Sequence, residues 1–263
     1  MKTSLVITTF NRPDALKCVL KSVANQSITP AEIVVADDGS SKETKDLICN
    51  CREKYKLNII HSWQENKGVR ISRSRNKAIS LCSSEYIVLI DGDMVLDSFF
   101  LKDHIESAEK NFFIQGSRVL LSESLTNNFI NSEIKLSFFS KGLSNRKNSI
   151  RSEFLSNLFS RKSKKMIGIK TCNFSFFKED FYKVNGFDNN IEGWGKEDSE
   201  LVARFFNYGI ERKNLKFKAV QFHLWHKENS RHNLQNNEKV LKKSISKKIM
   251  ICQNGVNQCF EEP

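Results

Sequence analysis

The sequence lacks any run of roughly 18 consecutive apolar residues, the length a membrane-spanning helix requires. Its first residues, MKTSLVITTFNRP, form a short apolar run closed by a polar turn, without the longer hydrophobic region of a secretory signal. Cysteine is present but unorganised. The seven residues (18, 49, 51, 82, 172, 252 and 259) are odd in number, irregularly spaced and free of any C-x-x-C, which argues against a disulfide framework or a zinc knuckle. Reduced thiols in a cytoplasmic protein are the expectation, with a peripheral place on a membrane face compatible with it. No internal repeat is visible. What is there suits one globular domain with an appended tail: 263 residues, 39% hydrophobic, 20 of them Phe. Basic residues outnumber acidic ones by 42 to 30, giving +12. Much of this excess lies in 146–170 and 239–248. Such patches favour a polyanionic partner but name no function.

Apolar runs alternate with helical spacing through the first half. Strands are expected at 4–10, 32–36, 57–63, 86–90 and 113–121, and helices at 14–25, 42–55 and 71–81. Continuous apolar strands interleaved with helices imply an α/β fold whose mostly parallel sheet is covered on both faces. The segment 122–165 is Ser/Asn/Lys-rich and reads as short helices and mobile loops. Beyond it, strands are expected at 169–177 and 215–224, a turn at Asn185-Gly186, a helix at 197–207 and a polar helical tail from 229. Ligands of such sheets bind at the carboxyl ends of the strands. Three strands end there in polar clusters: 8–12, 37–40 and 91–93.

Each cluster has a functional and a plain structural reading. Asp91-Gly92-Asp93 can hold a divalent cation on a diphosphate, because hard cations take oxygen ligands and Gly admits the phosphates; alone, it is also what a solvated loop looks like. A buried carboxylate of Asp37-Asp38-Gly39-Ser40 can accept the imide N–H of a uracil, with Thr8 and the Phe10 backbone beside it, or an Asp of the turn can cap the following helix. In Glu192-Gly-Trp-Gly-Lys-Glu-Asp198, Trp194 sits between Gly193 and Gly195 on a loop expected to be mobile, where its ring can stack on a sugar. Glu197 and Asp198 beside it either deprotonate a sugar hydroxyl or favour a helix N-terminus. His223-Leu-Trp-His226 closes a strand, and strand alternation puts its histidines on opposite faces. One ligand and one structural His is then the expectation, with His223 preferred over His226. Arg70, Arg73 and Arg75 read as a solvated basic face or as one inward arginine, Arg75.

Taken in order, VITTFNR, VVADDGS, NKGVRISRSRNKAI and VLIDGDM resemble the family-2 glycosyltransferases of GT-A fold. The later stretch, CNFSFFKEDFYKVNGFDNNIEGWGKEDSELVARFFNYGI followed by FHLWHKEN, is similar to the C-terminal part of β-1,4-galactosyltransferases and bacterial chondroitin-polymerase-type enzymes. The resemblance covers roughly 4–229 and implies a GT-A domain over 1–228, a variable acceptor-side insert at 122–165 and a basic helical tail at 229–263. It implies a UDP-sugar donor held by Thr8, Phe10, Arg12, Asp38, Arg75, Asp91, Gly92 and Asp93. Mn²⁺ or Mg²⁺ would sit on Asp93 and His223, Asp198 would be the general base, and Trp194, Gly195 and Glu197 would contact sugar or acceptor. The implied reaction is inverting transfer of a hexose to a glycan or glycolipid, as in bacterial lipopolysaccharide or capsule synthesis. Ser199, where the galactosyltransferases continue a run of acids, leaves the acceptor open. An anionic membrane surface is a partner the charge allows; nucleic acid is not expected, since nucleic-acid binding leaves the acidic clusters without a role. A nucleotidyltransferase would need a Gly-rich first loop, and TTFNRPD has no glycine.

Overall fold

The computed structural model describes residues 1–132, 134–227 and 232–260. Its strands are β1 Thr3–Thr9, β2 Glu32–Asp37, β3 Ile59–Trp63, β4 Tyr86–Asp91, β5 Met94–Leu96, β6 Phe112–Gln115, β7 Val119–Leu121, β8 Leu143–Ser144, β9 Arg161–Ser163, β10 Asn173–Phe177, β11 Glu211–Asn214 and β12 Gln221–His223. Its α-helices are α1 Pro13–Ala24, α2 Lys42–Tyr55, α3 Ile71–Leu81, α4 Phe100–Ser107, α5 Glu123–Ser132, α6 Glu153–Phe159, α7 Lys178–Lys183, α8 Glu197–Tyr208 and α9 Leu234–Ser246.

The apolar runs form strands because both of their faces are buried. Leu5 and Ile7 of β1 join one core cluster with Ile33 and Val35 of β2 and Tyr86, Val88 and Ile90 of β4. Val6, Val34, Ile87 and Leu89 alternate into a second cluster on the opposite face. The large sheet runs β3-β2-β1-β4-β10-β6-β11-β9. Its β3-β2-β1-β4 part is parallel. β10 is antiparallel to β4 and to β6, so β6 and β11 point the same way as β4. The fold is the expected α/β open sheet flanked by helices. A second sheet, β5-β12-β7-β8, covers a third apolar cluster.

Two expected strands are broken. The run 113–121 leaves the large sheet after Gln115 and re-forms as β7 in the small one. At the break, Gly116 N donates to Asn173 O at 2.9 Å, and a Cβ on Gly116 would lie 2.2 Å from Asn173 Oδ1. The run 215–224 is a strand only over β12, and the turn before it has positive φ at Phe217 and Ala219. Its turn is held by the buried Asp103 carboxylate, which accepts from Ala219 N at 2.8 Å and from two nitrogens of Arg151.

The boundary expected between 228 and 229 lies outside the described residues. Within them, α9 is tied to α8. Arg204 and Glu200, both fully buried on α8, form a salt bridge of 2.6 Å, and Ser244 Oγ of α9 donates to Glu200 Oε1 at 2.8 Å. All seven cysteines are free thiols. Among the described residues no helix is long and apolar enough to cross a membrane.

Candidate active site

Register brings the polar strand ends together. β1 pairs Thr8 with Ala36 and Asp91, and Thr9 with Asp37. The two acids of Asp37-Asp38 then part ways. Asp37 stabilises the turn: its carboxylate accepts from Ser40 N at 2.8 Å and contacts His61 Nε2 at 2.8 Å. Asp38, 4% exposed, accepts from Gln64 Nε2 at 2.5 Å and from Arg70 N at 2.8 Å. Burial nevertheless holds the Asp38 carboxyl above its usual range. Phe10 lies at the rim, 45% exposed, followed by left-handed Asn11.

Of the three arginines, Arg75 turns inward, at 3% exposure. Its position on α3 puts the guanidinium among side chains from three elements, β1, β4 and α8. Nη2 donates to Asp91 Oδ1 at 3.1 Å and Nη1 to Asp198 Oδ1 at 3.0 Å; Nε donates to Thr8 Oγ1 at 3.1 Å. Glu197 Oε1 lies 3.7 Å from Nη1, and Phe187 stacks beneath at 5.3 Å. Asp198 is fixed twice more, since Thr171 Oγ1 donates to Oδ1 at 2.5 Å and Thr171 N to Oδ2 at 3.0 Å. Thr171 belongs to none of the sequence motifs and lies within the strand expected at 169–177, two residues before β10 begins.

Asp91 is held above its ordinary range by burial, with Arg75 pulling the other way. Burial also pushes Glu197 up, to about 7, aided by the Asp198 charge and opposed by Arg75. Glu197 Oε2 is buried without a hydrogen-bond partner. A carboxyl whose folded pKa of about 7 exceeds its ordinary 4.5 binds its proton more tightly in the folded chain. The stability it contributes is fully present below the ordinary value and is lost as pH rises through the folded one. Unfolding free energies at about pH 5 and about pH 8 should therefore fall more for the wild type than for Glu197→Gln. An equal fall in both would remove Glu197 as the cause.

Gly92 packs directly against β1. Its N donates to Thr8 O at 2.7 Å, and a Cβ would sit 2.9 Å from that oxygen, so the close approach is to β1. Asp93, next along, meets both histidines: His223 Nε2 and His226 Nε2 each lie 3.4 Å from Asp93 Oδ2. The expected separation onto opposite faces does not hold. β12 ends at His223, so alternation stops there, and Leu224 N donating to Asp93 O at 3.0 Å and Trp225 N to Thr126 Oγ1 at 2.8 Å bend the chain back. His226 Nδ1 contacts Lys227 O at 2.8 Å, which leaves Nε2 aimed at the carboxylate. Arg12 Nη1 also reaches Asp93 Oδ2, at 3.3 Å. Burial raises the Asp93 carboxyl, but His223, His226 and Arg12 more than offset it and the net displacement is downward.

These residues fit a divalent cation. One ligand atom from each of Asp93, His223 and His226 lies within 4.8 Å of the others, and Asp93 Oδ1 is buried without a hydrogen-bond partner. The loop before α8 is anchored rather than free. Gly193 N donates to Val69 O at 2.8 Å, and Asn237 Nδ2 of α9 to Glu192 O at 2.9 Å and Gly195 O at 3.0 Å. Gly193 and Gly195 take φ of 77° and 98°, which present Trp194 at the surface, 39% exposed.

The family model for glycosyl transferase family 2 matches residues 4–181, and a second, for the N-terminal domain of galactosyltransferase, matches 155–227. The chain belongs to glycosyl transferase family 2. It is 26% identical over 223 residues to the hyaluronan synthase of Pasteurella multocida, covering 78% of this chain but only 23% of that protein. The chain thus spans about a quarter of the length of that relative. The crystal structure of Staphylococcus aureus TarS 1–349 in complex with UDP-GlcNAc superposes with a TM-score of 0.66 at 17% identity, covering 98% of this chain and 69% of that one. The mannosyltransferase PcManGT of Pyrobaculum calidifontis in complex with GDP-Man and Mn²⁺ gives 0.59 at 15% identity, with 90% and 60% covered. These structural likenesses carry the fold.

Proposed function

We propose that the chain transfers a hexosyl group from a UDP-sugar to a hydroxyl of a glycan or glycolipid, with inversion at the anomeric carbon. The observation that carries this is Asp198. Its carboxylate is oriented by Arg75 and Thr171 on the same sheet edge as Asp38, Asp91 and Asp93. Family membership and the UDP-GlcNAc held by the S. aureus neighbour support the donor class.

In this reading Asp38, Thr8 and the Phe10 rim hold the uridine, and Trp194 offers its ring to a sugar face. Glu197 contacts the acceptor. Arg75, whose nitrogens are spent on Thr8, Asp91 and Asp198, positions these groups rather than gripping the donor directly. Asp198 takes the proton of the acceptor hydroxyl as its oxygen bonds to the anomeric carbon. The bond from that carbon to the UDP oxygen breaks, and UDP leaves. Asp93, His223 and His226 would hold a divalent ion, whose positive charge would offset the negative charge developing on the leaving diphosphate. Two imidazoles beside one carboxylate favour a first-row transition ion such as Mn²⁺ over Mg²⁺. With both rings equally near Asp93, His223→Ala and His226→Ala should each raise the Mn²⁺ concentration needed for half-maximal UDP release. A large rise for one and none for the other would leave a single histidine ligand.

Residues 1–228 form the catalytic unit in this reading, with 122–165 on its acceptor side and 229–263 as the basic C-terminal segment. A bacterial lipopolysaccharide or capsule precursor at the inner face of the inner membrane suits the basic segments 146–170 and 239–248. Each well-placed cation near an anionic surface contributes about 1 kcal/mol. Salt-sensitive co-sedimentation with anionic vesicles is expected; none at low salt would leave these charges solvated. The direct functional test is UDP release across UDP-Gal, UDP-GalNAc, UDP-Glc and UDP-GlcNAc with Mn²⁺. Release from one or two of them supports the reading, and release from none contradicts it.

A further inference from the structure

We infer that a second cleft, over the carboxyl ends of β6 and β11, binds an oxyanion carried by the acceptor, a carboxylate or a phosphate. This rests on the glycosyltransferase reading above and adds the chemical class of its acceptor. The cleft has a volume of about 270 Å³. That lies near the lower end of ligand-sized pockets, suited to one charged unit of a longer chain. Arg118, Lys170, Arg212 and Lys216 line it, and no Asp or Glu does.

The decisive residue is Arg212. Three arginines are buried among the described residues: Arg75, Arg204 and Arg212. Arg75 is met by Asp91 and Asp198, and Arg204 by Glu200. Arg212, 5% exposed on β11, donates through Nη1 to Ile167 O at 3.0 Å, and its Nε is buried with no partner. Burial alone acts on the guanidinium, lowering its pKa with no neighbouring acid to oppose it. A buried cation without a counter-charge costs more than one left in water, so an anion entering the cleft would supply the counter-charge that the fold does not. Gln115 Oε1, beside it, is likewise buried and unpartnered.

Position ties this cleft to transfer. Cys172 lines it, accepting from Arg118 Nη1 at 3.5 Å, and Thr171, the preceding residue, holds Asp198. β6 and β11 are the second and third strands beyond β4 in the large sheet and share its direction. At about 4.8 Å per strand, their carboxyl ends lie roughly 10–15 Å from Asp91. An acceptor whose hydroxyl reaches Asp198 can therefore place an adjoining anionic unit over Arg212. The donor groups Thr8, Asp38 and Asp91 lie on the other side of β10, which makes this an acceptor rather than a diphosphate subsite.

The test is calorimetric binding to the full chain with saturating UDP and Mn²⁺, using three probes. They are a glucuronate-containing oligosaccharide, the same oligosaccharide with its carboxyls reduced to alcohols, and a glycerol phosphate oligomer. At least one anionic probe should bind tenfold or more tightly than the reduced one, and which of the two does so separates carboxylate from phosphate. Arg212→Gln should abolish that preference. So should Arg118→Gln with Lys170→Gln, which changes only half-buried and exposed side chains and spares the core. Equal binding of all three probes by the wild type, or a preference that survives in both variants, would overturn the inference. UDP binding in the same samples should be unchanged by the variants. Its absence in the wild type would instead fault the glycosyltransferase reading.

Discussion

Asp198→Asn is expected to lower turnover by about 10²–10⁴ while leaving UDP affinity near that of the wild type. The substitution keeps the side-chain shape and removes the basicity. Asp38 and Asp93 are not partners of this carboxylate, and the amide oxygen can still accept from Arg75, which holds Thr8 and Asp91, so nucleotide binding should change little. Local stability should fall somewhat. Both Asp198 oxygens accept hydrogen bonds, from Arg75, Thr171 Oγ1 and Thr171 N, and an amide must turn its NH₂ toward one of those donors. Thr171→Val separates orientation from basicity: the base stays while one of its hydrogen bonds is lost. It should cost less turnover than Asp198→Asn. Near-normal transfer by Asp198→Asn together with an inactive Glu197→Gln would exchange the roles of the two acids.

Asp93→Ala should remove the metal dependence of UDP binding. The wild type should be stabilised thermally by UDP with Mn²⁺ and much less by UDP in EDTA; the variant should show no difference between the two. The expected loss in metal affinity exceeds the roughly 10–100-fold that removal of a mere outer-shell partner costs. The carboxylate is the one anionic group in the Asp93, His223, His226 cluster, and its Oδ1 has no other partner. Full UDP affinity of the wild type in EDTA would refute a metal-held donor.

The half of the sheet that carries these acids was legible in the sequence for a physical reason. β1, β2 and β4 are buried on both faces, so they read as unbroken apolar runs, and each run ends in polar residues at the carboxyl edge. Arg75 is buried, and His223 Nε2 lies 3.4 Å from Asp93 Oδ2. What could not be read depends on partners distant in sequence. Asn173 and Asp103 break the runs at Gly116 and Ala219, and no local pattern announces that an apolar stretch will change sheets. His226 was set apart by an alternation that presumes a strand, and the strand stops at His223. Thr171 carries no motif, because its role arises only when the segment before β10 meets the N-terminus of α8. The loop around Trp194 looked free by composition, but Asn237 from α9 anchors it.

The stereochemistry of the product tests direct displacement with Asp198 as base most directly. A UDP-α-hexose that supports UDP release is incubated with its acceptor, and the anomeric proton coupling of the new linkage is read by NMR. Single displacement gives a β-linked product with no α-linked component. A product that retains the α configuration would contradict inversion, and with it the assignment of Asp198 as the base that activates the acceptor.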